Sequence, residues 1–566
     1  MNDDKFYVDD KGVWFIPANE KKEEAAHSPI WICSPLHVKA ITRDNDNENQ
    51  GRLLVFFDSE NIKHQWAMPM ALTATDGTEL RKNLLSMGLI IGPKRSQKDL
   101  LNTYISVTIP QTKMRCIDKT GWFENSFILP HETIGMGTEE EIIYQSVNSQ
   151  IDCYECAGTL EDWQKNVSIF CVDNSRLAFS VCEAFAAPLL YWLDEESGGF
   201  HYVGQSSKGK STALKTGASV YGGKKMINSW RATINGLEAM AALHNDSLLI
   251  LDEMSQVDPK EAGNAAYLLA NNCGKARANK QGFARKKHEW RLLFLSSGEV
   301  SLADHMKQSG KKALAGQEIR ILNIPAIVGP HGVFEYLHNS KNGAIFSRML
   351  VKNAETYFGV AGKAFIKKLT EHTQDYIVRL KELQQSFNEE HIPLSADGQV
   401  HRALYRFALI AAAGTLATEI GITDWPEEEA FWAVEQCFKA WIKDRGGVSS
   451  QEEKTSLAKV RHFFELHGDS RFAPWQSEQG NKTINRAGYK RLAEDTFHYY
   501  VFTEVFKDDI CEGLNPELVA QLCIKKGWLI PDSEGKSTRA ENLPNCKNSV
   551  RCYRFDGSKI FADIIE

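Results

Sequence analysis

Residues 204–211 read GQSSKGKS, with glycine at the first and sixth places and then lysine and serine. This is the spacing G-x-x-x-x-G-K-[ST], in which main-chain amides wrap phosphate oxygens. Gly204, Gln205, Ser206, Ser207, Lys208, Gly209, Lys210 and Ser211 are therefore the expected contacts for ATP. Lys210 is expected to reach the β- and γ-phosphates, and the Ser211 hydroxyl to ligate Mg2+. The flanks suit that use. FHYVG reads as a strand entering the loop and STALKTGASVYG as a helix leaving it, so the helix N-terminus faces the anion.

A phosphate loop needs an acid at the end of a neighbouring strand. SLLILDEM runs four apolar residues into Asp252 and Glu253. Asp252 is expected to hold the metal with Ser211, and Glu253 to orient and polarise a water, which makes hydrolysis the expected reaction. The next apolar strand, RLLFLSSGE, ends in Ser296 and Ser297, and Ser297 is the chosen contact for the γ-phosphate or the water. In AGQEIRILNIP, Arg320 is the candidate finger for a neighbouring subunit's nucleotide. Arg402 and Arg406 in VHRALYRFAL lie four apart and are candidate nucleotide contacts from a helical lid.

Between the acidic strand and the serine strand, residues 275–291 carry seven basic side chains and one acidic one, Glu289. The whole chain of 566 residues has a net charge of −7, so this basic segment is a local concentration suited to a phosphate backbone. In ring helicases the insertion at this place faces the central pore. Lys275, Arg277, Lys280 and Arg285 are the expected contacts to single-stranded DNA.

The elements that must carry these groups follow from composition along the chain. Residues 1–165 are rich in β-branched and aromatic runs, such as GRLLVFFD, and read as a β-rich accessory domain. Residues 166–342 alternate helices with short apolar strands, the pattern of an α/β P-loop core on a parallel sheet. Residues 343–450 read as a helical lid, and 451–566 as two helices with a late hairpin, the order of a winged helix. LAFSVCEAFAAPLLYWL holds Glu183 and Pro188 and reads as a buried helix, so no membrane partner is expected. The acidic, polar start MNDDKFYVDD shows no secretory signal, and twelve scattered cysteines suit a reducing cytoplasm. Cys153 and Cys156 form the one close pair. Neither a second pair nor closely spaced histidines follow, so free thiols are expected there.

Taken together, SGGFHYVGQSSKGKSTAL, SWRATINGLEAMAALHNDSLLILDEM, LLFLSSGEVSLADHM, AGQEIRILNIPA and RFALIAAAGTLATEIGITDWP resemble one family over about residues 20–445. It is the family of P-loop ATPases of phages and integrative elements known as domain of unknown function 927. Members from staphylococcal cassette elements resemble self-loading, minichromosome-maintenance-like helicases. The resemblance implies an AAA+ ring, hexameric, that translocates on DNA, with a C-terminal winged helix and an element-encoded replication partner. Two other classes stay open: an ATP-driven switch or loader that unwinds nothing, and an ATPase subunit of a defence or transposition complex.

Overall fold

The computed structural model describes residues 5–17, 28–45, 47–135, 140–144, 153–275, 287–311, 313–393, 396–447, 451–476, 483–493, 496–544 and 546–562. They form two compact units, one of residues 1–391 with 403–444 and one of residues 392–402 with 445–566. The boundaries expected near 165 and 342 fall inside the first unit.

At the centre of the first unit is a five-stranded sheet of Gly198–Val203 (β1), Ile227–Ser229 (β2), Ser247–Asp252 (β3), Leu292–Gly298 (β4) and Ile321–Pro325 (β5). All neighbours are parallel, in the order β2-β3-β4-β1-β5. Strands buried on both faces can be apolar throughout, and LLIL and LLFL are, each running into polar residues at the carboxyl end. Because β3 and β4 both lie on the same side of β1, their carboxyl ends open beside the loop that follows β1. Ligands of open parallel sheets bind at such a crevice.

One face of this sheet is covered by Ile234–Leu243 and Ala262–Ala270, whose Leu237, Ala265 and Leu269 share a core with Leu249, Leu251 and Phe294. The other face is covered by Ser175–Ala186 (α1), every residue of which is buried, and by Lys210–Ala218 (α2), which leaves the phosphate loop. The apolar stretch expected to be a buried helix is thus a central layer of the fold.

The region expected to be a lid is helical and includes Gly343–Ala354 (α3), Gly398–Glu419 (α4) and Glu429–Asp444 (α5). Only α3 leans over the loop. From Phe407 onward α4 belongs to the core, since that ring lies 5.8 Å from Phe179 of α1 and 5.0 Å from Phe200 of β1. Phe438 of α5 meets Phe407 edge to face at 5.3 Å.

Before the core, the chain is rich in strands, as its composition suggests. A mixed five-stranded sheet, centred on Leu36–Arg43 and Gly51–Phe57, buries Leu54, Phe56 and Met68 under helices Thr78–Ser86 and Arg95–Val107. One three-stranded sheet precedes it in sequence, and a second, within residues 121–134, is inserted before its last strand, Glu141–Tyr144. In this stretch Cys153 is buried, with Sγ 3.8 Å from His244 Nε2, and Cys156 is exposed.

The second unit differs from the two helices and one hairpin read from its sequence. Helices Gln451–His467 (α6) and Pro516–Lys525 (α7) are there, but the sheet has five strands. They are Phe472–Pro474 (β6), Gly488–Ala493 (β7), Thr496–Phe502 (β8), Arg539–Glu541 (β9) and Val550–Asp556 (β10), in the order β6-β7-β8-β10-β9. Short strands such as RAE and FAP carry too little apolar pattern to be read alone.

Candidate nucleotide site

β1 ends at Val203 and the chain turns at once into the glycine-rich loop. Ser207 and Gly209 take φ of 60° and 92°, a left-handed region where glycine is at ease and serine is uncommon. A Cβ at Gly209 would come within 2.6 Å of Val333, so glycine is required by space as well as by φ. Lys210 then begins α2 and points back under the loop. Its ammonium donates to the carbonyls of Gly204 at 2.6 Å and Gln205 at 2.8 Å, and the side chain is buried. Burial lowers its pKa, and Glu253, Glu299 and Asp252 act in the opposite sense. A buried cation fronting an anion-binding turn is the chemistry a triphosphate needs.

The acids come from the adjacent strand. Asp252 ends β3 with both oxygens engaged: Ser211 Oγ donates to Oδ2 at 3.2 Å, and the Ser297 hydroxyl donates to Oδ1. One carboxylate therefore joins the first turn of α2 to the end of β4. Ser211 and Asp252 are a hydroxyl and a carboxylate side by side, the donor set that suits a hard divalent cation holding some of its water.

Glu253 follows with φ 62° and ψ 74°, strained backbone for a residue other than glycine. Its amide donates to Asp252 Oδ1 at 3.1 Å, and its carboxylate accepts from Ser255 Oγ at 2.6 Å while lining the cleft. The two serines of β4 separate cleanly. Ser297 faces Asp252. Ser296 is buried between His201 Nδ1 at 2.9 Å and the Trp230 indole, which donates at 2.7 Å. Burial holds His201 down to about 4, so it is a neutral packing partner.

A segment after β5 closes the cleft from the other side. Val333 donates its amide to the carbonyl of Lys208 at 2.9 Å, and Gly332, with φ of 74°, sits so close that a Cβ would lie 2.2 Å from that oxygen. Helix α3 is tied to α2 by Thr212 Oγ1 and Ser347 Oγ at 2.7 Å and by Lys215 and Glu355 at 3.0 Å. The resulting cleft of about 620 Å³ is lined by residues 206–212, Glu253 and Ser297, and also by Glu299, His331, Ser347 and Arg348. The last four were not anticipated. Arg348 supplies an exposed guanidinium at the rim, and no spacing in AIFSRMLVK sets it apart from any other arginine on a helix.

Three expected contacts lie elsewhere. Arg406 is corrected by the docking of α4. Its guanidinium packs on Gly198, where a Cβ would meet Cζ at 2.3 Å, and Nη1 donates to Ile319 O at 3.0 Å. That is the amino end of β1, roughly 17 Å of strand away from the loop. Burial brings Arg406 down to about 10, against the pull of Glu196, Glu195 and Glu183. Arg402 is exposed, is grouped with the second unit, and is not among the described residues lining the cleft. Arg320 precedes β5 at the same far edge. Its Nη1 donates to Gly316 O at 2.6 Å and its Cζ lies 4.3 Å above the Tyr267 ring, out of reach of its own loop. Of the basic segment, Lys275 donates its amide to Glu238 at 3.1 Å, while Arg277, Lys280 and Arg285 lie outside the described residues.

With this geometry in place, comparison with known proteins becomes specific. Residues 6–289, just over half of the chain, match the family described as Domain of unknown function (DUF927). The chain belongs to the DUF927 family. The match takes in the phosphate loop and the Asp252–Glu253 strand and stops before β4, so Ser297, Arg320 and Arg348 of this DUF927 protein lie beyond it. The DUF927 protein also shares its fold with the solved structure described as "SCCmec type IV Cch - active helicase", at a TM-score of 0.68 and 15% identity over 98% of each chain. The structure described as "The A form apo structure of NrS-1 C terminal region-CTR(305-718)" aligns at a TM-score of only 0.22, with 10% identity, over 64% of this chain and 88% of that one. The Brucella abortus NtrX structure in complex with ADP reaches 0.16, with 12% identity, over 48% and 61%. Neither carries an argument. No curated protein matches the chain.

Proposed function

We propose that this DUF927 protein is an ATPase that drives movement along DNA, acting as a helicase of a mobile element or phage. The observation that carries the reading is the single cluster of Lys210, Ser211, Asp252, Glu253 and Ser297, assembled from three parallel strand ends. In this reading the amides of residues 205–210 and the Lys210 ammonium hold the triphosphate, and Ser211 with Asp252 holds Mg2+. The metal, when bound, neutralises charge on the phosphate oxygens. Glu253 draws a proton from water as it approaches the terminal phosphorus, and Ser297 fixes the Asp252 carboxylate in line with that event.

DNA as the track is supported by the fold shared with a protein described as an active helicase, and by the basic segment around Lys275, Arg277, Lys280 and Arg285. A ring, hexameric in the preferred form, with single-stranded DNA in its pore, is supported by Arg320. That guanidinium is too far from its own loop and is held on the opposite edge of the sheet, where a neighbouring subunit's nucleotide is the available target.

The decisive test is strand displacement on a labelled fork. Unwinding that requires ATP and disappears in Glu253→Gln supports the helicase. ATP turnover without displacement, and without stimulation by single-stranded DNA, would leave an ATPase and remove the motor.

A further inference from the structure

The sheet of the second unit has one face that α6 and α7 do not cover. Cross-strand register sets Tyr489, Tyr500 and Arg554 in one rung, with Arg491, His498 and Asp556 beside it on one side and Phe502, Cys552 and Arg539 on the other. Side chains alternate along a strand, so all of these stand opposite Tyr499, Val501 and Phe555, which are packed in the core with α6 and α7. Trp475, just after β6, ends the row with its ring 4.6 Å from Tyr500.

Tyr489, Tyr500 and Cys552 are buried in a small core with Leu543, Tyr489 Oη donating to Pro544 O at 2.6 Å, and guanidiniums ring that cluster. Arg486 Cζ is 4.8 Å from the Tyr489 centroid and 5.8 Å from that of Phe502. Arg491 Cζ is 5.5 Å from the Trp475 centroid, and Arg554 Cζ is 5.7 Å from that of Tyr500, with Nε donating to His498 Nδ1 at 3.0 Å. None of the three guanidiniums is ion-paired with a described residue, although the protein as a whole is acidic. The carboxylates of this face are engaged elsewhere. Glu541 pairs with Arg539 at 2.7 Å, and Asp556 accepts from the amide and hydroxyl of Ser558.

A guanidinium stacked on an aromatic ring is held at low entropic cost and keeps its N–H donors in plane for bidentate contact. Three of them around one aromatic cluster, without an ion pair to a described residue, suit phosphodiester oxygens as bidentate partners. The geometry points to this face as a second nucleic-acid contact that grips the sugar–phosphate backbone through Arg486, Arg491 and Arg554. It belongs to the second unit and makes no use of the nucleotide cleft or of residues 275–291.

The test uses the full-length chain without nucleotide, titrated with a labelled single strand and with a duplex of the same sequence over a salt series. Each phosphate contact contributes about 0.7 to the slope of log affinity against log salt for a single strand and about 0.9 for a duplex. R486Q/R491Q/R554Q is expected to lower the slope by roughly 2 on a single strand or by roughly 2.7 on a duplex and to weaken binding at low salt, while R486K/R491K/R554K keeps the wild-type slope. The strand form whose slope falls identifies the ligand. Thermal melting checks the fold, and the single exposed change Arg491→Gln, expected to remove about 0.7–0.9, replaces the triple variant where folding suffers. Lys210→Ala is expected to bind as the wild type does here, which separates this site from the ATPase reading. An unchanged slope in the glutamine variants would overturn the proposal. So would an equal loss in the lysine variant, or an acidic peptide bound with the same arginine dependence while neither DNA form is.

Discussion

At Asp252 two hydroxyls from different elements meet on one carboxylate, and this convergence sets what single changes should do. Glu253→Gln keeps the size of the side chain and removes its capacity to take a proton. Nucleotide affinity should remain within about threefold while turnover falls by about 10²-fold or more, the cost usual for one transition-state group. Equilibrium binding of a fluorescent nucleotide beside steady-state hydrolysis reads both numbers. Lys210→Ala should lose affinity as well as turnover, because the buried ammonium that faces the phosphates is gone. Much at this scale was legible in advance: GQSSKGKS and LLILDE carry their chemistry in fixed spacing. Arg348 and Glu299 were not legible, since what brings them to the cleft is the tether of Ser347 to Thr212 and the turn after β4. Arg402 and Arg406 show the reverse case. Their spacing announced one helical face, but the end of the sheet on which that face lands is decided by Phe407 packing against Phe179 and Phe200.

Elements, not single groups, govern stability. Helix α1 carries Glu183 with both carboxylate oxygens buried and without a hydrogen-bond partner among the described residues. Burial raises its pKa well above the ordinary carboxylate value, with Arg406 pulling the other way. A group whose folded pKa is raised contributes stability that is fully present below its unfolded value, near 4.5, and is lost as pH rises toward the folded one. Glu183→Gln removes that dependence. The variant should gain on the wild type by about 1.4 kcal/mol per pH unit through that window, visible as a melting difference that widens as pH rises above 5. Parallel core strands were readable as apolar runs, and the apolar stretch that includes most of α1 was readable as buried because Glu183 and Pro188 interrupt it. The strands of the second unit were not, because three-residue pieces such as RAE acquire their pairing only from the sheet around them.

For the whole molecule, the sidedness of the central sheet is what matters. The phosphate loop and the Asp252–Glu253 pair open at its carboxyl edge and Arg320 stands at its amino edge. Arg320→Ala should therefore cut turnover steeply while leaving nucleotide affinity near wild type. Fingers of this kind are worth about 10³–10⁵ in GTPases. Mixing Arg320→Ala with Lys210→Ala subunits should restore part of the activity, because some interfaces then pair an intact loop with an intact arginine. Titrated hydrolysis against mixing ratio checks it, and absence of any rescue assigns Arg320 to packing against Tyr267.

Gly332 carries one more implication. Its α-carbon rests against the backbone of Lys208, so residues 331–334 cannot stay put if the phosphate loop reshapes around an incoming anion. Residues 335–342 link them to α3, so a shift of the loop is expected to reach that helix. Gly332→Ala, a change that meets no phosphate, should weaken nucleotide binding as though it did, and cost about 1–3 kcal/mol of stability. Isothermal titration beside thermal melting would record both. A loss of both in that variant would show that a gap one hydrogen atom wide sets how the phosphate loop and the segment before α3 fit together.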